Sequence, residues 1–249
     1  KVLDSTYGAG RDESFKQRFL VEAALTAKLN HPNTVRVVDY GSTKDGLFFF
    51  AMEYLDGETL EKLLSKGPLA WHRVLSIGQQ IARALREAHE LGVVHRDLKP
   101  ANVMLLKAGS PDEEVRILDF GIAKVLRPEG DLEGAQSMNT LGGIGTPHYM
   151  SPEQIRGQDV DGRSDIYALG VIIYQMCSGL LPFTGKTDLE VATARLERRL
   201  ADGSLHPLQG TPRTTGFWYE NSNAGCPYVG ACDIAGYSLR LLPDASGGF

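Results

Sequence analysis

Apolar side chains nowhere run on for the roughly 20 positions that a membrane-spanning helix requires, and no basic-then-apolar leader opens the chain. Neither a bilayer span nor a secretory leader is expected in these 249 residues. Cysteine is scarce. Cys177, Cys226 and Cys232 are the only three, and their spacing matches neither a zinc-ligand set nor a disulfide framework. A reducing, cytoplasmic setting is the expectation that follows. Basic charge is not in excess: 26 Lys and Arg against 31 Asp and Glu give a formal net charge of −5, which leaves no electrostatic footprint for nucleic acid. What remains is a globular composition. With 42% hydrophobic residues the chain can bury a core, and its length suits one large domain or two small ones. It begins at Lys1 rather than at Met, so a piece of a longer protein is expected.

The most informative stretch is Val93-Val94-His95-Arg96-Asp97-Leu98-Lys99-Pro100-Ala101-Asn102-Val103-Met104. β-Branched residues lead into a polar knot and an apolar run leads out, which predicts strand, loop, strand. Inside the loop a carboxylate, Asp97, is followed five residues later by the amide of Asn102, with the cation of Lys99 between them. A carboxylate held on a loop can take a proton from an attacking hydroxyl, an Asn oxygen can bind a hard divalent cation, and a Lys can neutralise phosphate charge. This loop resembles the catalytic loop of protein kinases, in particular the Hanks-type serine/threonine protein kinases of bacteria.

The remainder of the chain can be set against that resemblance. Asp12, Glu13 and Ser14 offer N-caps to a helix running to about Leu29, on which Phe15, Phe19 and Ala23 recur at helical spacing with Glu22 close to the same face. The resemblance implies that Lys1 holds the ATP α/β-phosphates and pairs with Glu22. Residues 34–40 read as a strand, 41–46 as a turn and 47–52 as a buried strand. Glu53 and Leu55 then occupy the positions whose backbone groups, in kinases, bind the adenine edge, with Met52 at the back of the pocket. From Leu69 to Leu91 the residues Val74, Ile77, Ile81, Leu85 and Ala88 keep helical spacing, and Gly92 supplies a C-terminal cap. A hairpin over 102–118 brings Asp119-Phe120-Gly121 back toward Asp97 and Asn102. A second carboxylate beside the amide is what a metal bridging two phosphates requires. The tripeptide alone is common, but at the end of a predicted strand 17 residues after Asn102 it is specific.

Residues 122–144 are polar and poorly periodic, which predicts a loop. It closes on Gly145-Thr146-Pro147-His148-Tyr149-Met150-Ser151-Pro152-Glu153, similar to the end of a kinase activation segment with Ser151 where Ala is usual. The resemblance implies that Thr146 packs against Asp97 and Lys99, and that Arg96 binds a phosphorylated loop residue, with Thr140 the first candidate and Ser137 the second. Lys99 and the Gly-Thr-Pro run point to Ser/Thr rather than Tyr acceptors. A helix apolar on nearly all sides opens near Ser164 and ends near Gly179. Its Asp165 resembles the kinase Asp that bonds the catalytic-loop backbone and could also cap the helix, two compatible roles. Gly179 to Thr187 mimics a phosphate-binding P-loop but has one residue too many between its glycines and follows a helix. An amphipathic helix is expected over 188–200. Beyond it the resemblance fades, with Arg213 and Arg240 the only arginines of the tail. An altered reading frame, a linker and the start of another module all remain open there.

The resemblance implies an α+β, two-lobed kinase fold, truncated at the N-lobe, which lacks its glycine-rich loop, and at the end of the C-lobe. The expected divisions are 1–55 as a partial N-lobe, 56–200 as the C-lobe and 201–249 as a tail unlike a kinase. The implied activity is transfer of the ATP γ-phosphoryl group to Ser or Thr hydroxyls of proteins. Asp97, Lys99 and Thr146 are the catalytic set, Asn102 and Asp119 the Mg2+ ligands, and Lys1, Glu22, Glu53 and Leu55 the ATP-binding set. The implied partners are protein substrates and, for activation-loop autophosphorylation, a second copy of the chain. Two alternatives stand beside it: a pseudokinase-like scaffold and a small-molecule phosphotransferase. Weak ATP binding and little activity are expected of residues 1–249 alone.

Overall fold

The computed structural model describes residues 13–43, 47–120 and 147–196, together with strand backbone at 217–221, 232–234 and 237–241. Helix α1, Glu13–Thr26, packs Phe19 and Ala23 against a two-stranded antiparallel sheet of β1, Val37–Ser42, and β2, Phe48–Met52. The ring of Phe19 lies 4.7 Å from that of Phe48 and 5.1 Å from that of Phe50, the second pair edge-on. These aromatics form a small core of their own. The strand expected at 34–40 is displaced: it begins at Val37 and takes in Gly41 and Ser42. The reason lies in competing partners. Asn33 to Val35 pair instead with the end of a later strand, Val35 N donating to Ile117 O at 3.0 Å and Ile117 N to Asn33 O at 2.9 Å. The Glu53 carboxylate occupies the Arg36 N–H at 2.8 Å.

A second sheet runs β3–β4–β5, from β3, Gly57–Thr59, β4, Val103–Leu106, and β5, Glu114–Ile117, all antiparallel neighbours. Between β3 and β4 in sequence lie the short helix α2, Leu60–Leu64, and the 20-residue α3, Trp71–Glu90. Val74, Ile77, Ile81, Leu85 and Ala88 of α3 are buried, the stripe that a 3.6-residue period predicts. They share a core with Ile166, Leu169, Ile172, Ile173 and Met176 of a later helix and with Val103, Leu105, Val115 and Ile117 of β4 and β5. After residue 147 come α4, Pro152–Ile155, then that helix, α5, Gly162–Ser178, and α6, Asp188–Leu196. Gly179 ends α5 with φ +73, a helix-stop conformation, so the P-loop mimic is a turn. The tail pairs as an antiparallel sheet of β6, Phe217–Asn221, β7, Cys232–Ile234, and β8, Tyr237–Leu241, with β8 central. The fold is α+β, as expected, and its described residues form two hydrophobic cores. Among the described residues no helix is long and apolar enough to cross a membrane.

Candidate active site

The C-terminal end of α3 delivers the chain to the site. Gly92, at φ +74, donates its N–H to His89 O at 3.0 Å, and Val93 N reaches Ala88 O at 2.8 Å. This pair of bonds is a Schellman stop, and Val93 and Ala88 are both buried beneath it. The helix therefore ends at a fixed point and the next ten residues form the loop.

Two residues of the site have backbone angles that side-chain-bearing residues rarely adopt: Arg96 at φ 67 and Asp119 at φ 61. Such a residue persists only where its surroundings hold it. Asp165 supplies much of that hold. It is 1% exposed. Its Oδ2 accepts from His95 N and its Oδ1 from Arg96 N, each at 2.8 Å, and Oδ2 also lies 2.8 Å from His89 Nε2. The cap of α5 is a different residue, Asp161, which accepts from Arg163 N at 2.9 Å. Of the two roles open for Asp165, the structure therefore shows bonding to the loop backbone.

His95, fully buried, carries the hold onward. Its Nδ1 accepts from Asp97 N at 3.3 Å, so Nε2 bears the proton and donates to Leu118 O at 2.8 Å. Its ring stacks at a tilt on Phe120, 4.7 Å between centroids. Leu118 N in turn donates to Asn102 O at 2.9 Å. The strand end that bears Asp119 is thereby fastened to the loop that bears Asp97 and Asn102. Within the loop, Lys99 Nζ lies 2.8 Å from Asp97 Oδ2. The Asn102 side-chain amide donates to Asp97 O at 2.8 Å and to Asp97 Oδ2 at 3.2 Å. With its nitrogen committed to Asp97, the amide has only its oxygen to offer a cation.

That donor set fits Mg2+ bound with a nucleotide. Among the described residues no three His, Cys, Asp or Glu side chains form a metal cage. Mg2+ held by one carboxylate, one amide oxygen and substrate phosphates needs none. Glu53, expected at the adenine edge, also has defined partners. Glu53 N donates to Arg36 O at 3.1 Å, while its carboxylate serves Arg36 N, so the Glu53 side chain is spent on the strand end. From the other side, Thr26 Oγ1 at the end of α1 donates to Phe120 O at 3.2 Å. Lys1, Ser137, Thr140 and Thr146 lie outside the described residues, as does the side chain of Glu22.

Residues 147–155 face the loop. A 3-10 turn, Pro147–Tyr149, precedes α4, whose cap is a full capping box: Gln154 N donates to Ser151 Oγ, and Ser151 N to Gln154 Oε1. Gln154 Nε2 then donates to Arg96 O at 2.7 Å. The Ser151 hydroxyl donates to Ser164 Oγ at 3.0 Å, and the Ser164 hydroxyl to the Glu153 carboxylate. Tyr149 donates to Gln175 Oε1 at 2.7 Å, and burial pushes its phenol up to about 12. Arg195 of α6, 1% exposed, donates to His148 O and Met150 O and lies over the rings of Phe183 at 5.1 Å and Tyr167 at 5.5 Å. Burial, helped by this guanidinium, lowers the His148 pKa. The sequence reading missed Arg195 and Gln154. A signal for Arg195 existed: it sits three and four residues after the apolar pair Ala192 and Val191, on the face that turns inward.

The chain matches the protein kinase domain family over residues 6–214, past the boundary expected near residue 200. It is 43% identical over 205 residues to serine/threonine-protein kinase pkn3 of Myxococcus xanthus, covering 79% of this chain and 37% of that protein. Serine/threonine-protein kinase PknL of Mycobacterium tuberculosis is 40% identical over 215 residues, 85% of this chain and 50% of its own. PknB of Mycolicibacterium smegmatis is 42% identical over 186 residues, 73% and 28% respectively. The chain thus spans half or less of the length of these relatives. A family match over most of the sequence, on a fold that gathers Asp97, Lys99 and Asn102 and fastens the Asp119 strand beside them, has one reading: the chain belongs to the protein kinase family.

Proposed function

We propose that this chain is the catalytic part of a protein serine/threonine kinase, which moves the γ-phosphoryl group of ATP to a Ser or Thr hydroxyl of a protein. One observation carries it: Asp97, Lys99 and Asn102 form a single hydrogen-bonded knot, with the strand bearing Asp119 tied to Asn102. Bound Mg-ATP supplies the transferable group. Asp97 orients the acceptor hydroxyl and receives its proton as the new O–P bond forms and the bond to the β-phosphate oxygen breaks. Lys99, already 2.8 Å from that carboxylate, offsets charge on the transferred group. Asn102 and Asp119 hold Mg2+, the backbone of Glu53 and Leu55 holds the adenine edge, and Lys1 paired with Glu22 holds the α/β-phosphates. Thr146 packs on Asp97 and Lys99. Arg96 receives a phosphate on Thr140 or Ser137, placed there by a second copy of the chain in a cytoplasmic setting.

The ordered segment at 147–155, bonded to the loop through Gln154, supports a protein acceptor over a small alcohol. The test is radiolabel transfer from γ-labelled ATP by the full-length protein to a general protein substrate and to small alcohols. Label on protein Ser/Thr, lost in Asp97→Asn and Asp119→Asn variants, is the expected result. Label on small alcohols alone, or wild-type turnover that survives Asp97→Asn, would overturn the proposal.

A further inference from the structure

Gln154 joins two pieces of the site that are 58 positions apart in sequence. It is 8% exposed, so each hydrogen bond its amide makes counts against desolvation. Its oxygen accepts from Ser151 N at 2.9 Å, closing the cap of α4. Its nitrogen donates to Arg96 O at 2.7 Å. That carbonyl belongs to the peptide unit linking Arg96 to Asp97, so the bond fixes the plane from which the Asp97 side chain springs. The preceding peptide unit is fixed by Asp165, through Arg96 N at 2.8 Å. Arg96, at φ 67, is thus held at both of its peptide units by residues of two different elements.

A helix cap alone would not need a Gln. The capping box works equally with Glu, because only a side-chain oxygen is used there. What Glu cannot do, as a carboxylate, is donate to a carbonyl. The bond to Arg96 is the part of the arrangement specific to an amide.

We propose that Gln154 is a positioning residue for phosphoryl transfer: it sets the Arg96–Asp97 peptide plane, and so makes the aim of the Asp97 carboxylate depend on an ordered 147–155 segment. This inference rests on the kinase activity proposed above. A substrate segment docked against residues 147–155 then reports to Asp97 through one hydrogen bond.

The experiment compares full-length wild-type, Gln154→Glu and Gln154→Met proteins. Gln154→Glu keeps the cap and removes the donor; Gln154→Met removes both at similar volume and serves if the carboxylate variant does not fold. Two readouts are taken. Amide hydrogen exchange over residues 95–98 should quicken roughly tenfold or more in either variant, while α3 and α5 keep their protection. With a Ser/Thr peptide acceptor, kcat should fall roughly 10- to 100-fold with the KM for ATP within about twofold of wild type. Unchanged exchange at 95–98 in both variants overturns the inference, as does wild-type kcat in both. Should the wild-type protein transfer no phosphate, the kinase activity itself is refuted, and the exchange comparison alone decides whether Gln154 governs the loop.

Discussion

Asp165→Asn is the substitution whose cost the structure defines best. The side chain is 1% exposed and its two oxygens serve three donors, His95 N, Arg96 N and His89 Nε2, each at 2.8 Å. An amide of the same shape keeps one oxygen and turns an NH2 toward donors that the other served. A hydrogen bond to a charged group contributes about 1.5–3 kcal/mol, and a buried donor left without an acceptor costs about 1–3 kcal/mol. Part of this recovers by side-chain rotation, so a net loss of about 3 kcal/mol is expected, a large share of the roughly 5–15 kcal/mol that stabilises a domain. With a urea dependence near 2 kcal/mol per molar, the unfolding midpoint should fall by about 1.5 M. The assay is urea unfolding followed by tryptophan fluorescence and far-UV circular dichroism together. Asp161→Asn is the control on the same helix: Asp161 is exposed, its role is capping, and Asn caps as well as Asp. The control should move the midpoint by less than about 0.3 M. Equal shifts for the two variants would refute the claim that Asp165 holds the loop.

Phe19→Ala should cost about 3–5 kcal/mol within the small aromatic core, because rings at 4.7 and 5.1 Å lose their central partner. Hydrogen exchange should quicken across α1, β1 and β2 while α3 stays protected, and uniform loss of protection would contradict two separate cores. Tyr149 gives a pH prediction. Its folded pKa, pushed up to about 12 by burial, lies above the ordinary value near 10, so the fold favours the neutral phenol. The stability this contributes is intact below about pH 10 and is lost as pH rises through 12. Tyr149→Phe should shallow the decline in stability over that window without abolishing it, since burial raises Tyr167 as well. An unaltered slope in denaturant melts taken across that window would count against it.

Sequence was most informative where one local pattern decides one local structure. The α3 stripe, its Gly92 stop, the hairpin and the order His95, Asp97, Asn102, Asp119 all belong to that kind, and the described residues bring the last set together. It was least informative where partners compete at long range. Nothing local to residues 34–36 says that Asn33 and Val35 prefer Ile117 to β2, or that the Glu53 carboxylate will take the Arg36 N–H. Asp165 was readable as cap, as anchor or as both, and its bonds to His95 N and Arg96 N with Asp161 at the cap make it the anchor. Arg195 was hidden for another reason. A charged residue on an apolar face reads as a helix end meeting water until two backbone carbonyls and two aromatic rings are seen around it. The tail has no helical period, but Tyr237-Ser238-Leu239-Arg240-Leu241 alternates apolar and polar residues as a strand does, a signal that went unused.

The two strained residues are held from different directions, and this bears on how such a site can be switched. Left-handed backbone at a residue with a side chain costs on the order of 1–3 kcal/mol, which a single buried hydrogen bond barely offsets. Arg96 has two such bonds, one from α4 and one from α5, the second helix rooted in the larger core. Asp119 is followed by Phe120, whose carbonyl is held by Thr26 of α1 and whose ring lies on His95. A displacement of α1 therefore acts first on the strand end that carries Asp119 and reaches Asp97 only through His95 and Asn102. Loss of order at 147–155 acts in the opposite sense, releasing Arg96 while Thr26 still holds Phe120. Asp97 and Asp119 are thus steadied by different elements, Asp97 through α4 and α5 and Asp119 through α1.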